Sequence, residues 1–124
     1  MHIGLLAELF ECRPTRFHNL IQHLGKVISP ALTYSDHLQY AEKLGVAVHR
    51  VPLRDDMAID LEAMARAVDD SVSLVYLCNP NNPTGMAIDG DELRSFCREV
   101  SPRVPILIDE AYNELTDRPD YTSM

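Results

Sequence analysis

Two uninterrupted apolar runs, SLVYLC (73 to 78) and PILID (105 to 109), constrain this chain more than any other feature. A strand with one face in water alternates apolar and polar residues, so a continuous short run of this kind predicts a strand covered on both faces. The segments around them fit that requirement. KVIS (26 to 29) is a further strand candidate, and VAVHRVPL (46 to 53) is β-branched and bounded by Gly45 and Pro52. Between these lie helical patterns. SDHLQYAEKLG (35 to 45) spaces Leu38, Ala41 and Leu44 on one face, opens on a Ser-Asp cap signal and stops at Gly45. Asp60 precedes LEAMARAVDD (61 to 70), which gathers Leu61, Met64, Ala65 and Val68, and Asp89 to Val100 gathers Leu93, Phe96, Cys97 and Val100. Pro102 and Pro105 end that last helix. Strands alternating with helices in this order predict an α/β fold with a mainly parallel sheet.

Composition narrows the function classes. With 124 residues, 46% apolar and 24% charged, the chain is one domain's worth of folded protein or a piece of one. Acidic residues outnumber basic ones 19 to 11 and the basic ones are scattered, which argues against nucleic acid and against an anionic membrane as partners. The opening MHIGLLAELFECRPTRF has no basic start and is interrupted by Glu8, so neither an export signal nor a membrane span is expected. Cys12, Cys78 and Cys97 form no C-x-x-C pair, as expected for reduced thiols in a cytoplasmic protein. His18 and His23 are five apart, the wrong interval for two ligands on one helical face, and no metal site is expected.

In open parallel sheets ligands sit outside the carboxyl ends of the strands. The loop NPNNPTG (79 to 85) and the pair Asp109-Glu110 both leave strands at that end. An apolar strand ending Asp-Glu also suits the magnesium-binding strand of a nucleotide hydrolase, but that chemistry needs a G-x-x-x-x-G-K-[ST] phosphate cradle. The glycines, Gly4, Gly25, Gly45, Gly85 and Gly90, supply neither this cradle nor a G-x-G-x-x-G fingerprint. A G-x-S-x-G nucleophile elbow is also absent. An amide-rich loop, a carboxylate at a strand end and Tyr112 three residues beyond it remain.

NPNNPTG followed by a strand ending D-E-A-Y resembles the fold-type I pyridoxal-phosphate-dependent aminotransferases of class I/II. The fuller wording, YLCNPNNPTG with ILIDEAYNELTD and the upstream SPALTYSDHLQYAEKLGVAVHRVPL, is similar to the histidinol-phosphate aminotransferase branch. The resemblance runs from about Lys26 to Met124 and implies the central part of the large domain (26 to 124), with helices on both sheet faces. Residues 1 to 25 match poorly and are expected to be helical. The implied cofactor is pyridoxal 5'-phosphate, held by Tyr34, Asn82, Asp109 and Tyr112. Asp109 would keep the pyridine nitrogen protonated so that the ring accepts electrons. Asn82 and Tyr112 would hydrogen-bond the phenolic oxygen, and Tyr34 would stack on the ring, although Leu32 stands where the family usually has proline. Pro80 and Pro83 fix φ in the loop, and Gly85 permits a positive φ where the chain leaves it.

The family's Schiff-base lysine lies beyond D-E-A-Y in an S-K-x-x-G context, which this sequence does not contain, and its Lys26 and Lys43 lack that context. No catalytic residue is therefore assigned within the chain, which is expected to be a fragment, inactive as given. The implied reaction moves an amino group from a histidinol-phosphate-like amino donor to a 2-oxo acid, in a homodimer. The alternatives are a non-catalytic α/β remnant or cofactor-binding module, and a decarboxylase of a phosphorylated amino acid.

Overall fold

A computed structural model describes residues 25 to 110. The expected helix at the amino terminus, Cys12, His18, His23 and Tyr112 all lie outside the described residues.

Four strands, β1 (Lys26–Pro30), β2 (Ala47–Val51), β3 (Leu74–Cys78) and β4 (Ile106–Asp109), form one sheet in the order β2-β1-β3-β4. Every pairing is parallel. Helices α1 (Asp36–Lys43), α2 (Leu61–Ala67) and α3 (Gly90–Val100) fill the connections, giving the predicted alternation.

Side-chain alternation along the strands separates two apolar layers. Ile28, Val75, Leu77, Ile106 and Ile108 pack with Leu61, Met64, Leu93, Phe96 and Val100, so α2 and α3 cover one face. Val27, Leu74, Tyr76, Cys78 and Leu107 pack with Leu38 and Ala41, so α1 covers the other. Burial on both faces is why β3 and β4 are continuous apolar runs: each aliphatic side chain taken fully out of water contributes about 1.5–3 kcal/mol.

Element ends differ from the sequence pattern in ways that local chemistry explains. Helix α2 stops at Ala67 instead of running to 70. Val68 is extended, with ψ of 120°, and stays buried. The Asp69 carboxylate then accepts from the Ser71 N–H at 2.8 Å, an Asx turn that sends the chain back to β3. Asp60 does cap α2, accepting from the Ala63 N–H, and Asp89 caps α3 through the Asp91 and Glu92 N–H groups. Ser35, by contrast, makes no side-chain cap bond to α1, and its hydroxyl accepts from the Gln39 amide at 2.9 Å. β2 is limited to Ala47–Val51 because it pairs residue for residue with the five of β1. Gly45, with φ of 85°, takes the left-handed conformation that ends α1 without a Cβ clash.

Candidate functional site

The site assembles at the carboxyl ends of β1, β3 and β4. Register places Cys78 of β3 beside Asp109 of β4, and the Asn79 N–H donates to the Asp109 carbonyl at 2.9 Å. The NPNNPTG loop therefore begins against the last residue of β4. Asp109 itself is only 7% exposed. Period-two alternation points its side chain to the same face as Leu107, the α1 face, where the Tyr76 hydroxyl donates to its Oδ2 at 3.4 Å. Burial, with the nearby charges of Cys78 and Asp109, pushes the Tyr76 phenol far up, so it remains a donor at any working pH.

Each asparagine of the loop has a different setting. Asn79 is fully buried and its Oδ1 accepts from the Ile88 N–H at 2.8 Å, tying the loop to the lead-in of α3. Asn81 is 2% exposed; its main chain closes the loop through Asn81 N–H to Met86 C=O (2.9 Å) and Gly85 N–H to Asn81 C=O (2.7 Å). Gly85 has φ of 72°, the positive value expected at the loop exit. Asn82 is half-buried at the loop's apex. Its main chain hydrogen-bonds towards Cys78, which offsets part of the upward push that burial exerts on that thiol.

The segment following β1 carries Tyr34. It is half-buried against the α1-face layer, its hydroxyl donates to Asp36 at 2.9 Å, and its ring meets His37 edge-on at 5.5 Å. His37 lies close enough to feel the site: burial lowers its pKa, while the Asp109 and Asp36 carboxylates pull it back up. Tyr34, Asn82 and Asp109 thus come to one sheet edge, while Tyr112 lies outside the described residues.

Residues unassigned from sequence also belong here: Thr33, Tyr76, Asn79, Asn81 and His37. The three-asparagine wording of the loop was the one available signal for two of them. Tyr76 could have been found only from the strand register, which pairs it with Leu107 and so sets it on the face of Asp109.

The arrangement suits a flat, electron-poor heteroaromatic ring. One buried carboxylate can hold a cationic ring nitrogen, an amide can donate to a ring oxygen, and a half-buried phenyl face can lie against the ring. Three of the four residues expected to hold the cofactor, Tyr34, Asn82 and Asp109, therefore lie at one sheet edge. Both lysines lie elsewhere: Lys26 opens β1 at the opposite sheet edge, 3.8 Å from Asp69, and Lys43 is in the last turn of α1.

Comparison with known proteins identifies the family and the fold. The model of the aminotransferase class I and II family matches residues 19–123. A histidinol-phosphate aminotransferase of Staphylococcus aureus is 40% identical over 95 residues, covering 77% of this chain and 27% of that protein. The histidinol-phosphate aminotransferase structure from Clostridium acetobutylicum superposes with a TM-score of 0.74 at 30% identity, covering 86% of this chain and 32% of that one. The Sinorhizobium meliloti histidinol-phosphate aminotransferase, solved in complex with pyridoxal-5'-phosphate, gives 0.70 at 28% identity over 83% of this chain and 30% of that one. The chain thus spans about a quarter of the length of the curated relatives it matches. Its parallel sheet, with α1 on one face and α2 and α3 on the other, is part of the fold-type I domain of pyridoxal-phosphate-dependent aminotransferases. The matched family model, the 40% identity and the shared fold place this chain in the class I and II aminotransferase family.

Proposed function

We propose that residues 26 to 124 are the central part of the large domain of a pyridoxal-phosphate-dependent aminotransferase that moves an amino group from a histidinol-phosphate-like donor to a 2-oxo acid. The observation that carries the reading is Asp109, a carboxylate buried at the end of a parallel strand and facing the same edge as the Asn82 loop and Tyr34. Burying a carboxylate at the ligand edge of a parallel sheet is costly, and such groups concentrate at functional sites. When bound, pyridoxal phosphate supplies the electron-accepting pyridine ring.

The chain's own residues supply binding and orientation. Asp109 would hold a proton on the ring nitrogen, and the Tyr76 hydroxyl, which donates to its Oδ2, helps to orient the carboxylate. Asn82 would donate its side-chain amide to the phenolic oxygen, Tyr112 would be the second donor that the family resemblance implies, and Tyr34 would lie against the ring face. The lysines do not contribute to this edge, so these residues bind and polarise without providing the amine. The choice of histidinol phosphate rests on the 40% identity to an enzyme of that name. A homodimer in the cytoplasm is the expected setting.

The test is a titration of the 124-residue chain with pyridoxal phosphate, followed by the cofactor's absorbance and induced circular dichroism. Saturable binding is expected, weakened at least about tenfold in Asp109→Asn, since a buried charge pair lost on one side costs about 2–5 kcal/mol. Affinity unchanged in both Asp109→Asn and Asn82→Ala would remove the basis for the site. The donor is tested separately, by the spectral change of the holoenzyme carrying this segment when histidinol phosphate is offered beside other amino donors. A faster response to an unphosphorylated donor would overturn that substrate.

A further inference from the structure

Tyr34 and Asn82 are 48 residues apart in the chain and sit on separate loops, yet the proposed site needs a fixed spacing between a ring face and an amide. One side chain spans those loops. Asn81 Oδ1 accepts from the Thr33 hydroxyl at 2.7 Å, and Asn81 Nδ2 donates to the Leu32 carbonyl at 2.9 Å and to the Thr84 hydroxyl at 3.2 Å. Thr84 Oγ1 in turn accepts from the Met86 N–H at 3.2 Å. Asn81 and Thr33 are both buried. Leu32 and Thr33 immediately precede Tyr34, and Asn81 immediately precedes Asn82.

We propose that Asn81 is the positioning residue of the site: its carboxamide clamps the Tyr34 loop to the Asn82 loop and so sets the distance between the two cofactor contacts. An amide suits the task where other side chains do not, because it offers an acceptor to Thr33 and donors to Leu32 and Thr84 at once. Aspartate at this place would turn an acceptor towards the Leu32 carbonyl, and alanine would leave the buried Thr33 hydroxyl with one partner fewer. The clamp also explains why the loop carries three asparagines. The Asn79 Oδ1 anchors it to the lead-in of α3, Asn81 anchors it to the segment after β1, and Asn82 stands at the apex.

The proposal rests on the cofactor site described above, so its test has one arm that needs no cofactor. Hydrogen–deuterium exchange of the 124-residue chain is compared for wild type, Asn81→Ala and Thr33→Val. Exchange over residues 31 to 35 is expected to quicken about tenfold in Asn81→Ala, the factor that corresponds to about 1.4 kcal/mol. A smaller rise is expected in Thr33→Val, which removes only one of the three hydrogen bonds of the Asn81 carboxamide, and residues 74 to 77 should be unchanged in both. Thr33→Val keeps the test available should Asn81→Ala fail to fold. In the second arm, bound pyridoxal phosphate should show an altered induced circular dichroism in both variants, a signature that loss of stability alone would not move. Unchanged exchange over 31 to 35 in a folded variant overturns the clamp. A clamp that behaves as expected in a wild-type chain that binds no cofactor overturns the cofactor reading and leaves the clamp standing.

Discussion

The layer between the sheet and helices α2 and α3 and the carboxyl-end edge of the same sheet are built from opposite materials. The first is apolar throughout, with Ile28, Leu77, Leu93 and Ile108 all removed from solvent. The second holds every buried polar residue among the described ones: Ser29, Thr33, Asn79, Asn81 and Asp109. Apolar burial is non-directional, so the first region stabilises the fold without dictating where any one atom must be. Buried polar groups require partners in fixed directions. The second region therefore gains little net stability for its hydrogen bonds and gains defined positions instead. The difference teaches that stability and geometry are assigned to separate parts of one small sheet.

The sharpest way to break that division is Leu93→Ala. Leu93 is fully buried in the apolar layer, so its truncation should cost about 2–5 kcal/mol in denaturant unfolding. The fraction that remains folded should keep the wild-type response to pyridoxal phosphate. A lowered cofactor affinity per folded molecule would show that the two regions are not separable.

Asp89→Ala probes the boundary between them. Asp89 caps α3 with two 3.0 Å hydrogen bonds, directly after Ile88, whose N–H binds Asn79. Loss of the cap should cost about 1 kcal/mol of stability and leave hydrogen exchange in the asparagine loop as it was. Faster exchange at residues 79 to 86 would mean that the helix start, and not the loop's own bonds, holds the asparagines.

The smallest effect expected is a pH dependence confined to the polar edge. His37 has its pKa lowered by burial, against the opposing pull of Asp109 and Asp36. The unfolded chain therefore binds more protons than the folded one below the ordinary histidine value of 6.5, and stability falls as pH drops through that value. Above it, His37 contributes no slope. Thermal melts of His37→Gln between pH 5 and 7 should be flatter than wild type by this one group. An equally steep profile in the variant would assign the slope to other residues.

Much of the fold was readable from residues alone. The β3 and β4 runs are apolar without alternation, and only a strand covered on both faces tolerates that, so the layered α/β arrangement followed. The cap at Asp60, the helix stop at Gly45 and the positive φ of Gly85 are local effects, set within a few residues, and they stand as expected. The end of α2 was not readable: LEAMARAVDD keeps a helical pattern to Val68, and what stops it is the turn that returns the chain to β3. Ser35 carries the residue type of a cap without making the bond.

The candidate site divides in the same way. Motif wording singled out Tyr34, Asn82 and Asp109, because each stands in a recognisable string of neighbours. Asn81 was hidden within that string, since its partners Leu32 and Thr33 are remote in sequence and nothing local distinguishes it from Asn82. Tyr76 looked like one more core residue until register set it on the face of Asp109.

The sequence by itself determined the alternation of strands and helices, the face each helix buries apart from Leu44, which is exposed, and the family, because these depend on periodicity and on short contiguous motifs. Only the tertiary structure decided which asparagine bridges the two loops: Asn81 bonds to Leu32 and Thr33. Hydrogen bonds are short-range and directional, so their partners are chosen by how distant segments meet, and no pattern along one strand of sequence records that meeting.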